Sequence, residues 1–119
     1  MNWQQLEQRI KNEIEPGRTA ILKSNGDERR IVTSNDGRTI RMRTGVETDS
    51  DKAISYEMIK SAFETLIEKG KFDSVDFRAQ FSKEYRNAPC RYSMTGGVLV
   101  ELGVAQRVPF DKKRCTYKP

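Results

Sequence analysis

The chain has 119 residues, which suits one domain or two very small ones, and 22 basic against 17 acidic side chains give it a net charge of +5. It contains no histidine, so Ser-His-Asp and Cys-His catalysis are excluded and the commonest general base at neutral pH is missing. Its two cysteines, Cys90 and Cys115, cannot form a four-ligand zinc site alone. We therefore expect a protein that is not an enzyme and that binds no metal or cofactor.

Hydrophobic segments are short: Val98-Leu99-Val100, three residues, is as long as any apolar run in the chain. Such a run is far too short to cross a membrane, and no signal peptide is evident. We therefore expect a cytoplasmic protein in which both thiols are free and structural. A disulfide between Cys90 and Cys115 is the less favoured alternative in that compartment.

The first predicted element is an amphipathic helix. Asn2 can cap it, because the side-chain oxygen can accept a hydrogen bond from a backbone amide of the first turn. Pro16-Gly17 ends it, and apolar side chains recur between these limits at helical spacing: Trp3, Leu6, Ile10 and Ile14. This stripe predicts a helix that packs on the core. The alternative is a homodimer formed through the helix, which the position of Trp3 near the terminus leaves open.

Three short strands are predicted next, at residues 19–23, 30–33 and 39–43. The two segments between them contain Asn-Gly and Asn-Asp-Gly, which favour tight turns. Neighbouring strands joined by tight turns pair in antiparallel fashion. Residues 1–45 are therefore expected to combine one helix with a three-stranded antiparallel meander.

The exposed side of this meander is rich in arginine. In the third strand Ile40 and Met42 alternate with Arg41 and Arg43, so the two arginines share one face. Residues 29–43 carry a local charge of +4, from one aspartate and five arginines: Asp36, Arg29, Arg30, Arg38, Arg41 and Arg43. Arginines on a sheet face can bind phosphates, which makes Arg41 and Arg43 candidate contacts to a nucleic acid. The alternative is a solvated outer face with cross-strand ion pairs.

A polar linker at residues 45–52 leads to two predicted helices. Ser55 can cap the first, whose apolar stripe leads to Gly70, a typical left-handed helix end. Asp73 can cap the second, which ends before Pro89 because the residue before a proline leaves the helical region. Three aromatic side chains of the second helix recur every four residues and share one face: Phe77, Phe81 and Tyr85.

A third helix is expected over residues 92–102, with Gly103 as its end. The pair Gly96-Gly97 within it costs roughly 1 kcal/mol per glycine relative to alanine. Two explanations are open. Either another backbone passes close to the helix, or the helix is shorter and begins only near Gly97.

Two short strands, residues 104–109 and 115–118, flank the charged segment Phe110-Asp111-Lys112-Lys113-Arg114 and predict a hairpin. Three helices closed by a hairpin with a basic tip resemble the winged helix-turn-helix fold, over residues 54–118. The resemblance implies that the third helix enters the major groove of duplex DNA and that the hairpin, the wing, contacts the backbone. A meander before such a unit is also similar to target-reading modules of prokaryotic restriction and defence systems, which indicates a prokaryotic or phage protein.

The positive charge is concentrated towards the C-terminal end. Residues 86–119 hold seven basic and two acidic side chains, a charge of +5, whereas residues 1–85 are neutral with 15 of each. A polyanionic partner is the natural inference, and the alternative is that these charges only aid solubility. The candidate DNA contacts in this region belong to the third helix and the hairpin: Arg91, Ser93, Thr95, Arg107, Lys112, Lys113 and Arg114.

We therefore predict one compact α+β domain, residues 1–119, with an N-terminal helix, a three-stranded antiparallel meander and a winged-helix-like unit. The predicted function is binding of DNA with low sequence specificity and without catalysis. Asp111-Lys112-Lys113 is similar to the acid-x-lysine pattern of metal-dependent nucleases, but a turn accounts for it better. The alternative function is a protein-binding module, such as a phage or bacterial inhibitor that acts on a nuclease or another acidic partner.

Overall fold

The computed structural model of the chain describes residues 1–44 and 51–119, so most of the linker expected at residues 45–52 lies outside the described part. The chain is α+β, as expected. The described residues form, in chain order, α1 (Trp3–Glu13), β1 (Ala20–Leu22), β2 (Arg29–Asn35), β3 (Thr39–Thr44), β4 (Lys52–Ser55), α2 (Tyr56–Lys69), α3 (Ser74–Gln80), α4 (Ser82–Asn87), α5 (Arg91–Glu101), β5 (Gln106–Pro109) and β6 (Cys115–Lys118).

The first four strands form one antiparallel sheet in the order β1-β2-β3-β4. The meander thus has a fourth strand, β4, which pairs with β3 and places Ile54 opposite Ile40. The periodicity of the sequence does not reveal β4, because the strand has only four residues and its last residue, Ser55, is also the cap of α2. Side chains at alternate positions of the sheet point into the core, as the period of a strand requires: Ile21, Val32, Ile40, Met42 and Ile54.

Helix α1 packs on the core of its own chain. Asn2 caps it through a capping box with Gln5, as the sequence predicts for the cap. Leu6, Ile10 and Ile14 are buried, and Trp3 packs against the same core while partly exposed. The apolar stripe that a homodimer through α1 would need is therefore covered within one chain.

Asn35, at the end of β2, fixes the last turn of α1. Its side-chain amide donates hydrogen bonds to the carbonyl oxygens of Ile10 (3.0 Å) and Ile14 (2.8 Å). Carbonyl groups at a helix end need such partners, because the helix itself cannot supply them all. The hydroxyl of Tyr56 donates to the side-chain oxygen of Asn35 (2.6 Å). One polar side chain therefore joins α1, the sheet and the start of α2.

The caps predicted for the next helices are confirmed. Ser55 caps α2 by accepting a hydrogen bond from the amide of Met58, and Gly70 ends α2 in the left-handed conformation, with φ 74°. Asp73 caps α3 through a capping box with Asp76. Local polar chemistry thus sets where these helices start and stop.

The second predicted helix is instead two short helices, α3 and α4. Phe81 separates them, because its backbone leaves the helical region at φ −129° and ψ 52°. The aromatic spacing does not reveal the break, since the amide of Phe81 still donates to Phe77 and the amide of Tyr85 to Phe81. The ring of Phe77 lies 5.4 Å from that of Phe81 and 6.3 Å from that of Tyr85.

Helix α5 lies inside the molecule, in contact with α2, α4, β1, β4 and β5. Every residue of its central part, 92–99, is buried. Its apolar side chains belong to one contiguous core that also includes α1, the sheet, α2 and β6. The third helix of the sequence prediction is therefore a central support of the fold.

Neighbouring elements approach α5 closely at the pair Gly96-Gly97. A Cβ atom at Gly97 would lie 2.9 Å from the carbonyl oxygen of Leu22 and would overlap the side chain of Ile21. A Cβ atom at Gly96 would overlap the ring of Tyr117. The helix begins at Arg91, so the explanation of a shorter helix is wrong. Close approach of another backbone accounts for Gly97, and the ring of Tyr117 accounts for Gly96.

Replacing Gly97 with alanine tests this contact. A surface glycine in a helix would gain about 1 kcal/mol from the change, but the methyl group at Gly97 would collide with backbone that cannot rotate away. We expect a net loss of about 1–3 kcal/mol in the free energy of unfolding, measured by urea denaturation.

The matched control is Gly70→Ala, where the new methyl group meets nothing within 4 Å and only the left-handed backbone opposes the change. Gly70→Ala should lose only what the left-handed backbone costs an alanine, about 1–2 kcal/mol, so a larger loss in Gly97→Ala would report the steric contact. A Gly97→Ala protein as stable as the unmodified one would contradict the close approach.

Candidate nucleic-acid interface

The last two strands form the predicted hairpin, with Gln106 opposite Lys118 and Pro109 opposite Cys115. We call residues 110–114 the hairpin tip. The carboxylate of Asp111 closes it by accepting hydrogen bonds from the amides of Lys113 (2.8 Å) and Arg114 (2.7 Å). These bonds, together with the guanidinium of Arg114 at 2.6 Å, lower the pKa of Asp111. The acid-x-lysine motif is thus a turn in which the acid is engaged by its own loop.

The hairpin is fastened to the body through β6. Phe72 and Tyr117 exchange backbone hydrogen bonds at 2.8 and 2.9 Å. The hydroxyl of Tyr92 donates to the carbonyl oxygen of Cys115 (2.8 Å), which ties β6 to the start of α5. The rings of Phe72, Tyr92 and Tyr117 lie within 5.3–6.3 Å of one another and bury this junction. The base of the hairpin is therefore held in a fixed position.

A second attachment holds the tip against the turn between β1 and β2. The hydroxyl of Ser24 donates to the carbonyl oxygen of Lys113 (2.9 Å), and the guanidinium of Arg107 donates to the carbonyl oxygen of Ser24 (3.1 Å). Gly26 leaves room for that guanidinium, whose central carbon would lie 2.7 Å from a Cβ atom there. Arg107, a candidate contact, is therefore half-buried and joins the hairpin to the turn.

The remaining candidates of the hairpin face solvent. Lys112, Lys113 and Arg114 are all exposed. Phe110 beside them has 62% of its surface exposed, and the guanidinium of Arg114 lies 5.3 Å from the centre of its ring. The hairpin tip thus presents three cations and one aromatic ring on a support fixed at two places.

The candidates on α5 are placed differently from the expectation. Ser93 and Thr95 are only 5% and 0% exposed. Their hydroxyls donate within the helix, to the carbonyl oxygens of Cys90 (3.0 Å) and Arg91 (2.8 Å). The expectation of an exposed helix start is wrong, because α2, β1, β4 and β5 pack against this helix. Neither hydroxyl can contact a nucleic acid in this structure.

Arg91 is half-buried and serves the fold. Its guanidinium donates to the carbonyl oxygen of Ala53 in β4 (2.8 Å) and to that of Glu84 in α4 (3.1 Å). The carbonyl oxygen of Glu84 also accepts the amide of Ala88 at the end of α4, so Arg91 adds a second partner there. Arg91 therefore joins β4 and α4 to the start of α5.

The sheet arginines divide between the two faces. Arg41 is exposed and Arg43 half-buried on the outer face, where Arg43 stands opposite Ile31. Arg30 points inward, with 7% exposure, and donates to the hydroxyl of Ser93 (3.2 Å). Burial lowers the pKa of Arg30. The two-residue period of the strand could have assigned Arg30 to the inner face, because it lies two positions before the buried Val32.

Cys90 and Cys115 are both free, as expected, and burial raises the pKa of the Cys115 thiol. No group of three or more cysteine or acidic side chains in residues 1–44 and 51–119 is placed to hold a metal ion. The same residues contain no helix that is long and apolar enough to span a membrane. Comparison of the chain with protein-family models, with curated proteins and with solved structures gave no match.

Replacing Asp111 with alanine tests the closed turn. The amides of Lys113 and Arg114 lose their acceptor, so their hydrogen exchange, measured by NMR, should become faster. The lowered pKa gives the pH dependence: the bonds are complete above the pKa of an unfolded aspartate and are lost only as the pH falls through the lower folded value.

The control is Asp27→Ala in the adjacent turn, whose carboxylate accepts no hydrogen bond from the described residues. The rates of hydrogen exchange at the amides of Lys113 and Arg114 should be unchanged in that variant. If Asp111→Ala also left both amides as protected as before, another group would have to close the tip.

Proposed function

We propose that this protein binds DNA with low sequence specificity, through the phosphate backbone, and that the hairpin tip is its principal contact. The observation that carries the proposal is the exposure of Lys112, Lys113 and Arg114 on a hairpin fixed both to α5 and to the β1–β2 turn. Cations on a fixed support bind phosphates without first losing the freedom of a mobile loop.

The element order, with the helices α2 to α5 followed by a basic hairpin, supports the likeness to a winged unit. In this proposal α5 does not enter a groove, because its central residues are buried. Contacts to phosphate carry no direct sequence information. We therefore expect low sequence specificity, because the exposed cations of the hairpin tip would contact phosphates and not bases.

Arg41 and Arg43 extend the proposed surface along the outer face of the sheet. Arg29 lies on the same face, next to the β1–β2 turn that supports the tip. Arg29 lies two positions before Ile31 in β2, and Ile31 stands opposite Arg43, so the strand register relates the three arginines. A DNA strand that leaves the hairpin tip could follow these arginines across the sheet.

Binding of a protein partner is the second candidate function, and apolar side chains exposed on α2 and α3 favour it. Ile67 of α2 and Val75 of α3 are 64% and 60% exposed. An acidic protein could also use the basic tip. The two functions differ in their dependence on salt, which is steep when several phosphates are neutralised.

The principal test replaces Lys112, Lys113 and Arg114 together with alanine. Binding to a short duplex, measured by fluorescence anisotropy over a salt series, should give a slope of log affinity against log salt. Each phosphate contact adds about 0.9 to that slope, so the triple variant should lower it by about 2–3 and weaken binding at every salt concentration.

The control removes the same charge elsewhere, by replacing Lys11, Lys83 and Arg86, all exposed on α1 and α4, with alanine. Its slope should stay close to that of the unmodified protein. Equal losses in both triple variants would mean that only net charge matters, and an unchanged slope in the tip variant would exclude the hairpin from binding.

A second variant, Arg41→Ala with Arg43→Ala, tests the extension over the sheet. If both arginines contact phosphates, the slope of log affinity against log salt should be lower than that of the unmodified protein by about 1–2, at about 0.9 per contact. Lys60→Ala with Lys83→Ala serves as its control, since both lie on helices away from the sheet face. A slope equal to that of the control pair would restrict the contact surface to the hairpin.

A further inference from the structure

A small pocket of about 110 Å³ opens beside the hairpin tip. Phe110 and Arg114 form its exposed rim, and Tyr85 and Tyr92 form aromatic walls deeper in. Ser74, the first residue of α3, also lines the pocket. The pocket therefore joins three aromatic rings and one guanidinium at a single place on the surface.

Its walls are rigid. The ring of Tyr85 packs on that of Phe77, with centroids 6.3 Å apart, and the ring of Tyr92 packs on that of Phe72 at 5.3 Å. The hydroxyl of Tyr92 is engaged by the carbonyl oxygen of Cys115. A ligand would therefore meet preformed aromatic surfaces and would not have to order them.

The size of the pocket limits what can enter. Sites for drug-sized molecules have volumes of about 300–1,000 Å³, whereas a cavity of about 150 Å³ accommodates benzene. The volume here, about 110 Å³ with an open rim, suits one flat six-membered ring that enters partly. Aromatic walls favour a ring that can stack on them, and the guanidinium favours one with electron-rich oxygen atoms.

We propose that this pocket takes a single unpaired pyrimidine base from a DNA strand whose phosphates lie on Lys112 and Lys113. The inference rests on the proposed function and specifies its ligand as single-stranded DNA or a strand with an unpaired base. A duplex cannot offer a base here without unstacking it, which costs a few kcal/mol. The exposed ring of Phe110 is the group on which the base stacks.

The test compares three ligands of equal length by fluorescence anisotropy: oligothymidine, an abasic single strand with the same number of phosphates, and a duplex. Stacking of one base contributes about 1–3 kcal/mol, so oligothymidine should bind about 5–150-fold more tightly than the abasic strand. Lowering the salt concentration should tighten binding of both by the same factor, because their phosphates are equal in number.

Two variants address the pocket without removing a cation. Phe110→Ala removes the stacking ring and should abolish the preference for oligothymidine over the abasic strand, while Phe110→Trp should keep it. Ser74→Leu adds a larger side chain to the pocket lining and should also abolish the preference. Phe110 is exposed and helix α3 is capped by Asp73, so both changes leave the fold intact.

The outcomes separate the two proposals. If neither single strand nor duplex binds, the proposed function fails. If all three bind but oligothymidine has no advantage over the abasic strand, or Phe110→Ala and Ser74→Leu keep that advantage, DNA binding stands and the base pocket is overturned. Tighter binding of the duplex than of oligothymidine would also overturn it.

Discussion

The close packing of β1 against α5 at Gly97 is the contact on which the rest of this structure depends. No side chain fits between the helix and the carbonyl group of Leu22, so the two backbones meet directly. Because β1 lies there, the turn that follows it reaches the hairpin, where Ser24 and Lys113 are joined by a hydrogen bond. The other side of α5 holds β6 through Tyr92 and Tyr117. The position of the hairpin is thus set from both sides by one buried helix.

This packing separates two groups of cations that the sequence cannot tell apart. Arg30, Arg91 and Arg107 donate hydrogen bonds to groups of other elements and hold the sheet, α4, α5 and the hairpin together. Such buried or half-buried guanidiniums are well suited to this role, since each has five donors in a fixed plane. The other group, which consists of Arg41 and the three cations of the hairpin tip, faces solvent. Charge counted along the sequence cannot distinguish the two groups.

The hairpin tip combines features that support the proposed ligand. The carboxylate of Asp111 reduces the positive charge of the tip, which weakens its attraction for an anion. The same carboxylate fixes the turn by accepting two backbone hydrogen bonds, which holds the cations in a defined geometry. Phe110 stays exposed although its neighbours in the pocket are aromatic, and Arg114 lies over its ring. An exposed ring among cations is typical of surfaces that stack on bases while they hold phosphates. Backbone binding and base stacking would then act at one site.

The sequence by itself determined the helix caps Asn2, Ser55 and Asp73, because each cap depends on side chains within a few residues of one another. It also determined the α+β class and the C-terminal hairpin, because these follow from the periodicity of short segments and the turns between them. It could not reveal the break at Phe81, where the hydrogen-bond spacing continues, or the strand β4, which is defined by its partner. Only the tertiary structure decided that Ser93 and Thr95 are buried. Burial of a helix depends on what packs against it, and β1, one of the elements in contact with α5, lies about 70 residues earlier in the chain.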